Sequence, residues 1–249
     1  MSFNLRRVRD WLLRKNLCRK PAPAPLSLMA RVSYELRTSL NGIMGYAEFL
    51  ENRTAEPMMN FTAKIIRESG SNLARSCNAY VDLQYVQRGQ VRLSNTPFIF
   101  ATLLHDLVSL YQPQALERSI HLQLIYHADA QTKSICADAT RMRQVLDTVI
   151  FNTLQIAEAW DVIRIHLSWH EDKKYLKLVI ESTEAKLEQN KLKLVEAFWN
   201  TDTYQFQLQE GPGVEMALAK SLIRLAGISA RYELNQGRVG TLELQLPTC

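Results

Sequence analysis

Between residues 36 and 50 the apolar positions Leu36, Leu40, Ile43, Ala47 and Leu50 step by four, three, four and three. This spacing constrains the fold more than any other feature of the chain. It matches the 3.5-residue repeat of a helix that lies along another helix, and it places a continuous apolar seam on one face. A second helical pattern runs from about Met58 to Gln87, with Phe61, Ile65, Leu73, Cys77 and Tyr80 available for one face, and Pro57 marks the break between the two. Two helices bury too little surface by themselves. The expectation is a helical hairpin over residues 28–96 that pairs with a second copy into a dimeric four-helix bundle.

The pattern changes at residue 97. "PFIF" reads as the start of a strand, "ATLLHDLVSLYQPQALERS" as an amphipathic helix and "IHLQLIYH" as a strand. "DATRMRQVLDTVIFNTLQIAEAW" reads as one long helix with Asp138 as its cap. "DVIRIHLSWH" and "KKYLKLVIES" are paired strands about a polar turn at Glu171 and Asp172. "VEMALAKSLIRLAG" is a helix closed by Gly227, and the remaining residues form a hairpin that turns near Asn235 to Gly237. Helices and antiparallel strands in this order predict an α+β chain whose second domain, residues 97–249, is a two-layer α/β sandwich.

Net charge is +5 over 249 residues, which first suggests nucleic acid. Residues 1–20 hold seven Lys or Arg and one Asp, so the rest of the chain is nearly neutral. A nucleic-acid surface is therefore not expected. The tail can form a short amphipathic helix with Leu5, Val8, Leu12 and Trp11 on its apolar side. This makes it a candidate for peripheral contact with a membrane surface, or for a frayed basic extension. "PAPAP" places a stiff spacer within residues 21–27. No apolar run approaches the roughly 18 residues of a membrane span, and no signal peptide is visible, so the expected location is the cytoplasm, with peripheral contact at the inner membrane face as an option. Cys18, Cys77, Cys136 and Cys249 are far apart, with no CxxC pair. The expectation is free thiols and no metal site.

Several motifs in order carry a resemblance. "ARVSYELRTSLNGIMGYAEFL" resembles the dimerisation and phosphoacceptor helix of bacterial sensor histidine kinases, whose usual form is His-Glu-Leu-Arg-Thr-Pro-Leu. "VQRGQVRLSNTPFIFATLLHDLVSLYQPQALERSIHLQL" looks like their linker and the opening of their ATPase-type (GHKL) domain. "DATRMRQVLDTVIFNTLQIA" is similar to the helix bearing their asparagine motif, and "GPGVEMALAKSLIRLAG" to their second glycine motif. The resemblance implies a fold of that type from about residue 28 onward.

It also implies departures. Tyr34 stands at the phosphoacceptor histidine, and Glu35, at the position of the family's base, is kept beside it. Imidazole is neutral and nucleophilic near pH 7, whereas a phenol with a pKa of about 10 is a poor nucleophile. Thr38 is kept, and Ser39 replaces the expected proline. In the first glycine motif Ser182 stands for the adenine-binding Asp, and Glu184 and Lys186 for two glycines. In the second, Gly211 and Gly213 remain, but Glu215 stands where a third glycine would meet phosphates. At an effective dielectric of ~20 and ~4 Å, each like-charge pair there costs about 4 kcal/mol. Asn152 matches the Mg²⁺ ligand and Thr148 replaces an earlier Asn. The residual nucleotide-binding candidates are thus Asn152, Gly211 and Gly213, and Asn152 reads equally as an ordinary helix polar group.

The resemblance therefore implies a pseudo-histidine kinase with no catalytic residue. Its partners would be a second copy and a response regulator or another histidine kinase. The partner-binding face would comprise Tyr34, Glu35, Arg37, Thr38 and Asn41. No cofactor is expected beyond weak ATP/Mg²⁺ binding. The alternatives are a divergent histidine kinase or phosphatase, with Thr38 one turn beyond residue 34, and a nucleotide-binding sensor.

Overall fold

The computed structural model describes residues 26–53, 56–183, 198–199, 213–235 and 239–248, except for the side chains of residues 26–35 and a few at element ends. The chain divides into two compact units, Met1–Val81 and Asp82–Cys249.

The first unit is built from α1 (Leu26–Arg53) and most of α2 (Pro57–Gln87). The two run antiparallel. The Arg37 guanidinium donates to Asn78 Oδ1, Arg67 Nε donates to Glu51 Oε2 at 2.8 Å, and Asn60 Nδ2 donates to the Glu51 carbonyl at 2.8 Å. The Arg67 bond holds the Glu51 carboxyl below the usual carboxylate range.

The seam divides into two rows. Leu40 and Ala47, seven apart, are buried inside the hairpin, whereas Leu36, Ile43 and Leu50, also seven apart, are exposed. On α2, Ala63 and Gly70 are buried, again at heptad spacing, with half-buried Cys77 next in that row. The large residues expected to share one face, Phe61, Ile65, Leu73 and Tyr80, are all exposed. Small residues line the inside because the helices approach closely there: a Cβ on Gly70 would lie 2.9 Å from Met44 Cγ.

The second unit, Asp82–Cys249, is a sandwich. Its five-stranded sheet has the order β2 (His121–His127), β4 (Val162–His170), β5 (Tyr175–Thr183), β7 (Val239–Pro247), β6 (Ser229–Asn235). The β2–β4 pair is parallel and the others are antiparallel. Alternation sets the layers. Ile163, Ile165 and Leu167 on β4, Leu176, Leu178 and Ile180 on β5, and Leu242, Leu244 and Leu246 on β7 are buried. They form the core with α3 (Phe100–Glu117), α4 (Ala139–Ile156) and α5 (Gly213–Leu225). The residues between them are polar apart from Val179, and Lys177 pairs with Glu243 at 2.7 Å on that opposite face.

Asp138 caps α4 as its position predicts. Its carboxylate accepts from Arg141 N at 3.1 Å and from Ser94 N at 3.0 Å. Burial pushes this carboxyl up, but the backbone N–H groups of Ser94, Arg141 and Thr140 together outweigh that, and it is held below its ordinary value. Arg141 and Gln144, one turn in, both donate to Asp82 Oδ2, at 3.1 and 2.9 Å.

Three local readings are corrected. The long helix stops at Ile156 rather than at Trp160. Arg118 binds the carbonyls of Leu154 and Ala157, and Asp161 Oδ2 accepts from Glu158 N at 2.8 Å, so a turn replaces the last helical residues. Strand β3 (Ser134–Ala137) was not anticipated. It pairs with β1 (Thr96–Ile99) into a separate two-stranded sheet, and four residues carry too little alternation to be read as a strand. Finally, Cys136 is disulfide-bonded rather than free, with its partner outside the described residues. Sequence separation hid this; in the fold, Ile135 of β3 bridges Thr248. Cys77 is a free thiol, as expected.

Candidate functional site

Residue 34 lies on α1, which runs unbroken from Leu26 to Arg53 and so passes straight through Ser39. The side chains of Tyr34 and Glu35 lie outside the described set. Arg37, Thr38 and Asn41 are exposed. The bond from Arg37 to Asn78 ties this face to α2, a contact that no local motif announces.

In the second unit, the residues that the sequence resemblance assigns to a nucleotide pocket come from three elements. Asn152 is on α4, where its Nδ2 donates to the Thr148 carbonyl at 2.8 Å, one turn back. Thr148 is itself buried. That bond fits the reading of Asn152 as a helix polar group, while its carbonyl oxygen is the atom a cation would use. Ser182 is near the end of β5, buried and in register with Gly240. A hydroxyl there is a shorter and weaker acceptor than a carboxylate.

Gly213 opens α5 with φ at +91°, a conformation that suits glycine. The Glu215 carboxylate folds back over this first turn, with its Oε2 3.4 Å from where a Gly213 Cβ would stand. An acidic side chain complements the positive end of the helix, the place where an anion would otherwise bind. α4 and α5 pack against each other, so Asn152 and Gly213 belong to neighbouring elements. Gly211, Glu184 and Lys186 lie outside the described residues.

Among the described residues no group of three His, Cys, Asp or Glu side chains could hold a metal ion, and no helix is long and apolar enough to cross a membrane.

No family model matches the chain. Two curated relatives are the Autoinducer 2 sensor kinase/phosphatase LuxQ of Vibrio parahaemolyticus and the sensor histidine kinase GacS of Pseudomonas protegens. The first is 24% identical over 233 residues, 92% of this chain and 27% of the relative. The second is 27% identical over 224 residues, 88% of this chain and 24% of the relative. The chain thus spans about a quarter of the length of these relatives. Among solved structures, full-length ShkA in complex with AMPPNP superposes with a TM-score of 0.65 at 23% identity, over 90% of this chain and 46% of ShkA. The histidine kinase ThkA, solved in complex with the response regulator protein TrrA, matches with a TM-score of 0.55 at 15% identity, over 100% of this chain and 68% of the solved one. The homologues of this chain are sensor histidine kinases, and its fold is that of their dimerisation and ATPase domains.

Proposed function

We propose that this chain is a two-component signalling protein that keeps the shape of a histidine kinase core and has lost the phosphotransfer reaction. The observation that carries this reading is the tyrosine at position 34. A phosphotyrosine ester is too stable to pass its phosphoryl group to an aspartate, so the change removes the relay on energy as well as rate. Two changes in the second unit support it. Ser182 offers only a hydroxyl where a carboxylate would hold adenine, and the Glu215 carboxylate covers the first turn of α5.

Under this reading the hairpin of residues 28–96 dimerises. The exposed rows Leu36, Ile43, Leu50 and Met59, Ile66, Leu73, Tyr80, each at heptad spacing, form the covered surface. Tyr34, Glu35, Arg37, Thr38 and Asn41 bind a response regulator or a partner kinase, with Tyr34 as an aromatic anchor. The ThkA complex with a response regulator supports that class of partner. The basic segment 1–20, outside the described residues, adds peripheral membrane contact to a chain that otherwise works in the cytoplasm.

The test is incubation of the full chain with Mg²⁺ and γ-labelled ATP, alongside titration calorimetry with Mg-ATP. No label above a heat-killed control and no saturable heat are expected, and Tyr34→His does not restore labelling. Label on the wild type would establish a divergent kinase instead. Heat without label would establish a nucleotide sensor, and Asn152→Ala would then remove its Mg²⁺ dependence.

A further inference from the structure

The residues aligned with a nucleotide pocket leave a separate cavity unused. It lies against the C-terminal half of α5 and the start of β6, has a volume of about 590 Å³, and is lined by Trp199, Lys220, Ile223, Arg224, Ile228 and Arg231 among others. Asn152, Ser182, Gly213 and Glu215 do not line it. Its size falls within the few hundred to a thousand Å³ that hold small organic ligands.

Two features of the lining point to one chemistry. Every ionisable residue on the wall is a cation: Lys220, Arg224 and Arg231. Lys220 is 8% exposed, in a helix whose other buried residues include Met216, Leu218, Ala219, Leu222 and Ile223. A buried ammonium is costly unless the protein supplies partners. Here it donates to the Phe198 carbonyl and sits 4.7 Å over the Phe198 ring. Arg231 pairs with Glu233 at 2.7 Å, but both side chains are well exposed, and a pair of that kind exchanges readily for a ligand anion. The rest of the wall is mixed: Ser229 is polar, and Trp199, Ile223, Ile228 and Ala230 are apolar. Trp199 is 4% exposed and set edge-on to Phe198, with ring centroids 5.6 Å apart, and Ile223 and Ile228 are buried beside it.

We propose that this cavity binds a small organic anion with a planar apolar body. The oxyanion lies toward Lys220, Arg224 and Arg231, and the body lies against Trp199, Ile223 and Ile228. The lining selects an oxyanion attached to a flat apolar group and is indifferent to whether that group bears a carboxylate or a phosphate monoester. The site stands independently of whether the chain binds ATP, because the two sets of residues do not overlap.

The test uses the full chain labelled with ¹⁵N at tryptophan, with the Trp199 indole N–H resonance assigned through Trp199→Phe. 1-Naphthoate and 1-naphthyl phosphate are titrated in separate arms, with 1-naphthalenemethanol as the neutral control. At least one anionic probe is expected to shift the Trp199 resonance saturably, with the alcohol about tenfold weaker or more. Arg224→Glu with Arg231→Glu is expected to weaken the anion by about tenfold or more, and exposed Arg231→Gln alone by about threefold, which decides the matter if the double variant does not fold. The proposal is overturned if neither anion gives a saturable Trp199 shift, if the alcohol binds as well as the anions, or if the arginine variants bind with unchanged affinity.

Discussion

Replacing Ile43 with aspartate tests the dimer at a position where fold and assembly can be separated. In the single hairpin Ile43 is 51% exposed. Burying a whole Ile side chain contributes roughly 1.5–3 kcal/mol, so covering the exposed half contributes roughly 0.8–1.5 kcal/mol per copy. A twofold interface loses this twice, roughly 1.5–3 kcal/mol in all, or about 10- to 150-fold in the dimer dissociation constant. Two carboxylates in a desolvated seam add a further penalty, so a loss of about 100-fold or more is expected. Sedimentation across a concentration series measures the constant, and far-ultraviolet circular dichroism checks the helices. Ile43→Asp should lower the dimer affinity and leave helix content unchanged. Leu40→Asp is the contrast. Leu40 is 7% exposed inside the hairpin, so this change should reduce helix content as well. A wild-type chain that is monomeric at tens of micromolar, or an Ile43→Asp chain with unaltered affinity, would refute the assignment of the exposed row to a dimer.

Other perturbations follow from single contacts. Asp138→Ala removes the α4 cap and should cost about 1 kcal/mol in chemical denaturation at pH 7. Asp138→Asn keeps a cap but removes a titration. The folded carboxyl sits below its unfolded value of about 3.9, so its stabilisation is complete at pH values above that and is lost as pH falls through the folded value. Stability of the Asn variant should therefore fall less steeply than wild type as pH drops below the ordinary carboxylate range, and parallel profiles would contradict this. Gly70→Val places a side chain where Met44 already stands and should destabilise the hairpin by about 1–3 kcal/mol of overpacking, read as a lower melting temperature; an unchanged melting temperature would show that the helices can part without cost.

The nature and order of the main elements were legible in the residues. Period-3.6 and period-2 patterns are local properties, and the caps and stops at Asp138 and Gly227 act through neighbours in sequence. Candidate site residues were likewise named by their places in motifs, including the changes at Tyr34, Ser182 and Glu215. The direction in which a heptad row faces was not legible. Leu40 and Ile43 look alike as sequence, yet one packs inside the hairpin and the other faces out, because the close approach at Gly70 and Ala63 admits only the rows that fit it. The disulfide at Cys136, the end of α4 at Ile156, the tie from Arg37 to Asn78 and the cationic cavity beside Trp199 each join residues from separate parts of the chain. Those contacts depend on strand order and helix packing, which set distances across the fold, and a sequence records only distances along the chain.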